Sequence, residues 1–326
     1  MSYVGRPVRR LEDRRLVQGQ GRYVDDVHPS GTLEVAFVRS PHASARIGAI
    51  DCERAGALPG VAAVLTGKEL VGHVAPLRAT SVVRGFREVD FPALAVDRVR
   101  FVGEAVVALA AVDRYVAEDA ADLIDVEYDP LPAVVDPEAA LDPASPRVHD
   151  ELPDNLLVSR EFRVGDYAAA AEGADLVLRE AFRIHRQGGL PLEPRGCLAE
   201  WDPGSETLTV RSATQIPHLL RSTLAGLLGL AEWQVRVLAG DVGGGFGVKS
   251  SIYPEEIVCA YLARRLGRPV KWIEDRRENL TTTTHARDQI HEVEIAALRD
   301  GTIVGLRDRI LCDGGAYSVF PWTAAI

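Results

Sequence analysis

The stretch from residue 206 to residue 275 constrains the fold of this chain more than any other. "ETLTVRSATQ" (206–215) alternates like a half-buried strand and ends in Gln215. "PHLLRSTLAGLLGL" (217–230) switches to helical spacing, with Pro217 in the first turn, where a missing N–H costs nothing. "WQVRVLAG" (233–240) is a strand again, and "PEEIVCAYLARRLG" (254–267) is a helix opened by proline and acids and stopped by Gly267. "PVKWIED" (269–275) closes the series as a strand. A β-α-β-α-β order calls for parallel strands joined by helical crossovers. In open sheets of that kind ligands gather where strands end and helices begin.

One such junction reads "GDVGGGFGVKSSIYPEE" (240–256), with Gly243, Gly244, Gly245 and Gly247 around Phe246. Two nucleotide motifs fail on spacing. A dinucleotide fingerprint needs glycines at i, i+2 and i+5, but the third position falls on Val248 or Ser250. A phosphate-binding P-loop needs Gly-Lys-Ser/Thr in succession, and Val248 separates Gly247 from Lys249. Consecutive glycines still leave backbone N–H groups uncovered, so the loop can wrap an anion or an oxo group. It can equally be a turn that lets a strand and a helix pack tightly. Glu255 and Glu256 at the following helix start argue against an anion on the helix axis itself. Parallel topology brings Gln215 to the same sheet edge as Gly243–Gly247; its amide could serve a ligand or cap a helix.

Other polar residues carry weaker signals. Glu193 and Arg195 in "GGLPLEPRG" (188–196) suit an ion pair or a carbonyl anchor better than catalysis. His285 in "TTTTHARD" (281–288) has no second histidine at i+4 to make a metal pair, and His185, His218 and His291 stand alone. Cys52, Cys197, Cys259 and Cys312 form no C-x-x-C, so neither structural zinc nor an iron–sulfur cluster is expected in this chain, and the thiols read as buried or free. No G-x-S-x-G elbow supports a hydrolase.

With 326 residues, 47% hydrophobic and 26% charged, the chain has room for about two or three globular domains. A net charge of -10 argues against nucleic acid as the main partner. No apolar run is long enough to span a membrane, and the N-terminus lacks a secretory h-region, so a cytoplasmic protein is expected. The texture divides into an arm (1–19), an α/β unit (20–135), a Pro- and acid-rich linker (136–159) and a second α/β domain (160–326). Within the first unit, 33–40 reads as a strand, 60–70 as a strand followed by a turn, 101–112 as a buried apolar run, 113–124 as a helix and 125–136 as a strand. Residues 291–318 read as a hairpin turning at Asp300-Gly301.

Taken together, these stretches resemble the molybdopterin-binding large subunit of the xanthine dehydrogenase family, in particular the branch with aerobic carbon monoxide dehydrogenases. The resemblance rests on "GRPVRRLEDRRLVQGQGRYVDD", "VRFVGEAVVALAA", "VEYDPLPAVVD", "LEPRG", "ATQIPH", "GDVGGGFGVK", "PVKWIEDRRENL" and "DGGAYS", in the family's order along essentially the whole chain. It implies an α/β hammerhead domain over 20–135, followed by the first part of a molybdenum-cofactor-binding α/β domain. It further implies an oxidoreductase that oxidises a small substrate of the aldehyde, N-heterocycle or carbon monoxide class with water-derived oxygen. The implied cofactor is molybdenum–molybdopterin, in its cytosine dinucleotide form, with iron–sulfur and FAD on separate small and medium subunits in a dimer of heterotrimers.

By the same resemblance, Gln215 matches the glutamine that hydrogen-bonds an oxygen ligand of the molybdenum. Gly244, Gly245, Phe246 and Gly247 match the loop passing beside metal and pterin. The purine-oxidising branch has glutamate directly after the loop's lysine; Ser250 stands there, which speaks against a purine substrate. The family's glutamate base and its remaining cofactor loops are expected beyond "VFPWTAAI". No catalytic residue and no protein metal ligand is therefore assigned here, and the chain is expected to be inactive without the remaining part of the large subunit. The alternative is a non-catalytic or split-subunit scaffold that docks the iron–sulfur and flavin subunits.

Overall fold

The computed structural model describes residues 3–318, so the closing "VFPWTAAI" lies outside the described residues. Ten strands organise it: β1 (Leu33–Arg39), β2 (Val61–Thr66), β3 (Ala105–Ala111), β4 (Leu176–Ile184), β5 (Gly196–Asp202), β6 (Thr207–Ser212), β7 (Val235–Leu238), β8 (Val270–Ile273), β9 (Gln289–Ala297) and β10 (Ile303–Cys312). The main helices are α1 (Arg114–Ala121), α2 (Pro217–Leu227), α3 (Pro254–Leu266) and α4 (Arg276–Thr282).

A mixed α/β architecture results, as the sequence implied. The central sheet has seven strands in the order β7-β6-β5-β8-β1-β3-β2. All seven residues of β3, "AVVALAA", are buried, which is what a continuous apolar run in mid-sheet requires. In β6 buried and half-buried residues alternate, with one face on the core. Leu208 and Val210 of β6, Leu220 and Leu224 of α2, Ile257 and Leu262 of α3 and Trp272 of β8 share one apolar core. Each such side chain contributes about 1.5–3 kcal/mol on full burial.

The crossover expectation is met in part. β6 and β7 pair in parallel, Leu208 opposite Val235, with α2 between them in the chain. β8 points the same way but is not their neighbour, because β5 lies between β6 and β8 and is antiparallel to both. β8 pairs instead with β1, Leu33 opposite Val270. One sheet therefore runs unbroken from the second half of the chain into the first. Nothing in local periodicity signals this, since the contact joins strands more than two hundred residues apart and involves only two residue pairs.

The hairpin appears where expected: β9 and β10 pair antiparallel, and Gly301 takes φ +90° in the turn. β4 joins their other side to make a separate three-stranded sheet in the order β10-β9-β4. Residues 136–159 carry a short helix, Pro137–Ala140, and are tied to the first half of the chain. Arg98 and Arg100 donate to the carbonyls of Arg147 and Val148, and His149 is buried. Among the described residues no helix is long and apolar enough to cross a membrane.

A candidate cofactor-binding loop

The glycine loop is shaped from below by Glu193. This carboxylate accepts from the Gly243 N–H at 2.7 Å and from Lys249 Nζ at 2.8 Å, while the Glu193 N–H donates to Gly243 O. A Cβ on Gly243 would lie 2.5 Å from Glu193 Cβ, so glycine is required for the approach. Lys249 is buried; desolvation pulls its pKa below the ordinary value against the opposing influence of Glu193. On the upstream side Asp241 accepts from both terminal nitrogens of Arg15 and from the Arg22 N–H, which ties the N-terminal arm to the loop. Hydrogen bonds from Arg15 and Arg22 hold the Asp241 carboxyl down at about 2.

Gln215 leaves β6 and meets the loop, as parallel topology requires. Its N–H donates to Lys249 O at 2.8 Å, and its Oε1 accepts from the Gly247 N–H at 3.2 Å. A Cβ on Gly245 would sit 2.3 Å from Gln215 Oε1. With Oε1 engaged, the two donors of Nε2 have no protein partner among the described residues. The same holds for the N–H groups of Gly244, Gly245 and Phe246, three in succession. Phe246 is 76% exposed yet adopts φ +54°, and Gly244 and Gly247 flank it at +96° and +90°. A bulky residue in this region carries strain that the surrounding structure must hold, and such outliers concentrate at ligand sites.

Behind the loop lies a buried charged cluster. Arg195 donates to Glu274 through Nε at 2.8 Å and Nη2 at 2.6 Å, and to Glu255 through Nη1 at 3.2 Å. Arg39 of β1 reaches Glu255 and Glu278. Burial lowers the Arg195 pKa, but Glu255 and Glu274 outweigh it and hold the guanidinium charged. Burial alone would protonate Glu255; Arg195 and Arg39 keep its pKa below the ordinary value instead. The ion-pair expectation for Glu193 and Arg195 holds with separate partners, Lys249 for Glu193 and Glu255 with Glu274 for Arg195. One sequence expectation changes here. Glu255 is no free anion at a helix start, because two arginines neutralise it. Arg195 stacks 3.8 Å from the Tyr253 ring centroid, and the Tyr253 hydroxyl donates to Val248 O, linking cluster to loop.

Arg195, Ser212, Lys249, Tyr253 and Glu256 line a cavity of about 10 Å³ between loop and cluster, roughly the space of one water. Burial raises the Glu256 pKa to about 7, although Ser212 donates to its carboxylate. A larger cleft of about 380 Å³, lined by Glu138, Asp142, Glu292 and Arg309 among others, lies elsewhere and does not include the loop. Among the described residues no three His, Cys, Asp or Glu side chains gather to hold a metal ion. His285 is exposed in a short strand beside Gln187–Gly188, and His291 pairs with Asp308 at 2.9 Å. All four cysteines are free thiols. Sequence reasoning missed Lys249, Asp241, Arg15, Arg39 and Glu274, whose roles depend on long-range contacts.

Two family models match the chain. Residues 18–132 match the a/b hammerhead domain of aldehyde oxidase and xanthine dehydrogenase, and residues 148–326 match the molybdopterin cofactor-binding domain. The chain belongs to the xanthine dehydrogenase family of molybdenum-dependent oxidoreductases. It is 38% identical over its whole length to the nicotine 6-hydroxylase large subunit of Paenarthrobacter nicotinovorans, and covers 40% of that protein. It is 40% identical to the carbon monoxide dehydrogenase large chain of Afipia carboxidovorans, with 95% of this chain and 39% of that one covered. The fold superposes on quinoline 2-oxidoreductase from Pseudomonas putida 86 with a TM-score of 0.92 and 42% identity, covering 97% of this chain and 40% of that one. The chain thus spans about two-fifths of the length of these relatives.

Proposed function

We propose that this chain supplies one wall of a molybdopterin site in a molybdenum hydroxylase acting on a small substrate of the N-heterocycle, aldehyde or carbon monoxide class. The observation that carries this reading is the joint geometry of Gln215 and the loop: one side-chain amide and the three consecutive backbone N–H groups of Gly244, Gly245 and Phe246 have no protein partner among the described residues, and a Cβ on Gly245 would lie 2.3 Å from Gln215 Oε1. Such donors suit an oxo ligand or an anionic pterin substituent. Gln215 would hold an oxygen ligand of the metal, and Gly244, Gly245, Phe246 and Gly247 would lie along the metal and pterin. The bound group would supply two-electron redox chemistry at molybdenum. The chain's own contribution is to orient it, and Lys249–Glu193 and Arg15–Asp241 fix the height of the loop.

The names of the relatives at 38–42% identity favour an N-heterocycle or carbon monoxide over a purine, the xanthine dehydrogenase subunits standing at 31–32%, and Ser250 in place of a glutamate agrees. The cytosine dinucleotide form of the cofactor, iron–sulfur and FAD subunits as partners, a dimer of heterotrimers and a cytoplasmic location belong to the same proposal. So do the domain limits 20–135 and 160–326 and a general base supplied by polypeptide outside this chain. The test is molybdenum and pterin analysis of the protein co-expressed with iron–sulfur and flavin subunits of this family. Stoichiometric cofactor that Q215A reduces at least about tenfold supports the reading. Cofactor content indifferent to both Q215A and G245V overturns it. The isolated chain is expected to show no dye-coupled oxidation of aldehydes, N-heterocycles or carbon monoxide.

A further inference from the structure

Strand β4 continues past the three-stranded sheet. Beyond Ile184 the chain bends at His185–Arg186 and runs on as Gln187–Gly188, while its partner reaches β9 from His285–Ala286 across Arg287–Asp288. Gln187 lies opposite Ala286 and Gly188 opposite His285, so the two segments form one antiparallel ribbon with two residues of each strand in the bend. Arg287 takes φ +72° and Asp288 φ +58°, two consecutive non-glycine residues in the left-handed region. Aspartate enters that region more readily than most residues, but arginine has no short polar group to bond locally. The Arg287 side chain is exposed and has no hydrogen bond or ion pair among the described residues, so nothing of its own offsets the strain.

The bend is fastened from outside. Arg186 donates to Asp288 through Nε at 3.2 Å and Nη2 at 3.1 Å, and Nη2 also donates to Asp313. The Asp313 N–H donates to Asp288 O at 3.0 Å, and Asp313 Oδ1 accepts from the Gly315 N–H at 2.7 Å. The far end of the ribbon meets the glycine loop by two routes. Gly189 backs onto Val248 and Phe246, where an added Cβ would lie 2.9 Å from Val248 Cγ1 and 3.4 Å from Phe246 Cβ. Thr284 meets the Tyr253 hydroxyl through its N–H at 3.3 Å and its Oγ1 at 3.0 Å, and that hydroxyl donates to Val248 O at 2.5 Å.

Strained backbone persists only where its surroundings over-determine it. We propose that the left-handed bend at Arg287–Asp288, fastened by Arg186 and Asp313, sets the direction of the ribbon and through it the position of the glycine loop. Arg186 and Asp313 are positioning residues for that loop, although neither has a hydrogen bond to it. The bend has two states, left-handed when fastened and relaxed when released, and such an element is the physical warrant for coupling between the clasp and the loop. The inference rests on the proposed cofactor role of the loop only for its effect on cofactor content.

The test is hydrogen–deuterium exchange of the full chain, read as protection factors of the Gly247 and Val248 amides, which are bonded to Gln215 Oε1 and Gly245 O. R186M should lower both at least about fivefold, the equilibrium factor that one strained left-handed residue represents. R186M/R287G should restore them to within about twofold, because glycine takes positive φ without strain. R186M/R287A loses the same charge but keeps a Cβ, and its protection should stay low. Unchanged protection in R186M overturns the proposal. Restoration by R287A equal to that by R287G also overturns it, since the Arg287 charge and not the backbone would then be the cause. D313N keeps the shape of the clasp and repeats the comparison at smaller amplitude if R186M does not accumulate. Molybdenum and pterin in the co-expressed assembly should follow the protection factors. Protection that responds while cofactor content does not keeps the positioning role and removes the cofactor role of the loop.

Discussion

Behind the glycine loop, Arg195, Arg39, Glu255, Glu274 and Glu278 bind one another through multiple short contacts, and none of them is left with an unpartnered buried polar atom. The loop in front of them, linked to them through Tyr253 and Val248, leaves three successive N–H groups without a protein partner among the described residues and holds Phe246 in a strained conformation. One region is over-determined and the other under-satisfied. The pairing teaches that the support is where stability resides, and the loop is where binding capacity is kept open. Substitutions on the two sides should therefore separate stability from cofactor retention.

The largest effect is expected from breaking the support. R195M fills much the same volume but strands Glu274 and half of the Glu255 contacts in the interior. Losing one partner of a buried ion pair costs about 3–5 kcal/mol. Urea unfolding should show that loss, or the chain should fail to accumulate in soluble form. A loss below about 1 kcal/mol would mean that the cluster is solvated and the contrast with the loop is false.

Titrating the support is gentler. Burial raises Glu256 to about 7, and Glu104, buried beneath the Tyr317 hydroxyl, is raised to about 7 for the same reason. Both folded-state values lie above the ordinary 4.5. The folded state therefore binds more protons, and the stabilisation is complete below about pH 4.5 and lost as the pH rises through 7. The combined fall is on the order of a few kcal/mol. E256Q keeps the Ser212 contact and should flatten part of this slope between pH 5 and 8. An unchanged slope in E256Q would remove Glu256 as its source.

G245A tests the loop side. The new Cβ would meet Gln215 Oε1 at 2.3 Å, but Gln215 is exposed and can swing away, so unfolding free energy should change by less than about 1.5 kcal/mol. Molybdopterin content in the co-expressed assembly should nevertheless fall at least about tenfold. Equal damage to stability and cofactor content would collapse the distinction between support and loop.

The two regions also differed in how far the sequence revealed them. The loop was legible because glycine has a local conformational meaning, and because strand–helix alternation alone placed Gln215 beside it. Helix limits at Pro254 and Gly267 followed from equally local rules. The cluster was not legible. Arg39, Arg195, Glu255 and Glu274 lie on elements that are brought together only by the β1–β8 and β5–β8 pairings, and no periodicity encodes which strands become neighbours. The same cause hid the insertion of β5 between β6 and β8, and with it the continuity of the central sheet. On β4 the apolar alternation of Leu176, Leu178, Phe182 and Ile184, interrupted by Glu180, is written in the sequence, but the exposure of these side chains is a tertiary fact.

The smallest effect is expected at Phe246, and its sign is the informative part. A non-glycine residue in the left-handed region costs roughly 1–2 kcal/mol relative to the right-handed one. F246G removes that cost, while the greater freedom of glycine in the unfolded chain gives back about 0.5–1 kcal/mol. Since the ring is 76% exposed, little packing is lost with it. The net expectation is a stabilisation of about 0.5–1 kcal/mol, read as a higher urea midpoint at unchanged slope. If the strain is instead retained to set the direction of the loop N–H groups, F246G should bind less molybdopterin in the co-expressed assembly even as it becomes more stable. A destabilised F246G would show that the ring packs on something in solution, and the loop would then rank with the support rather than against it.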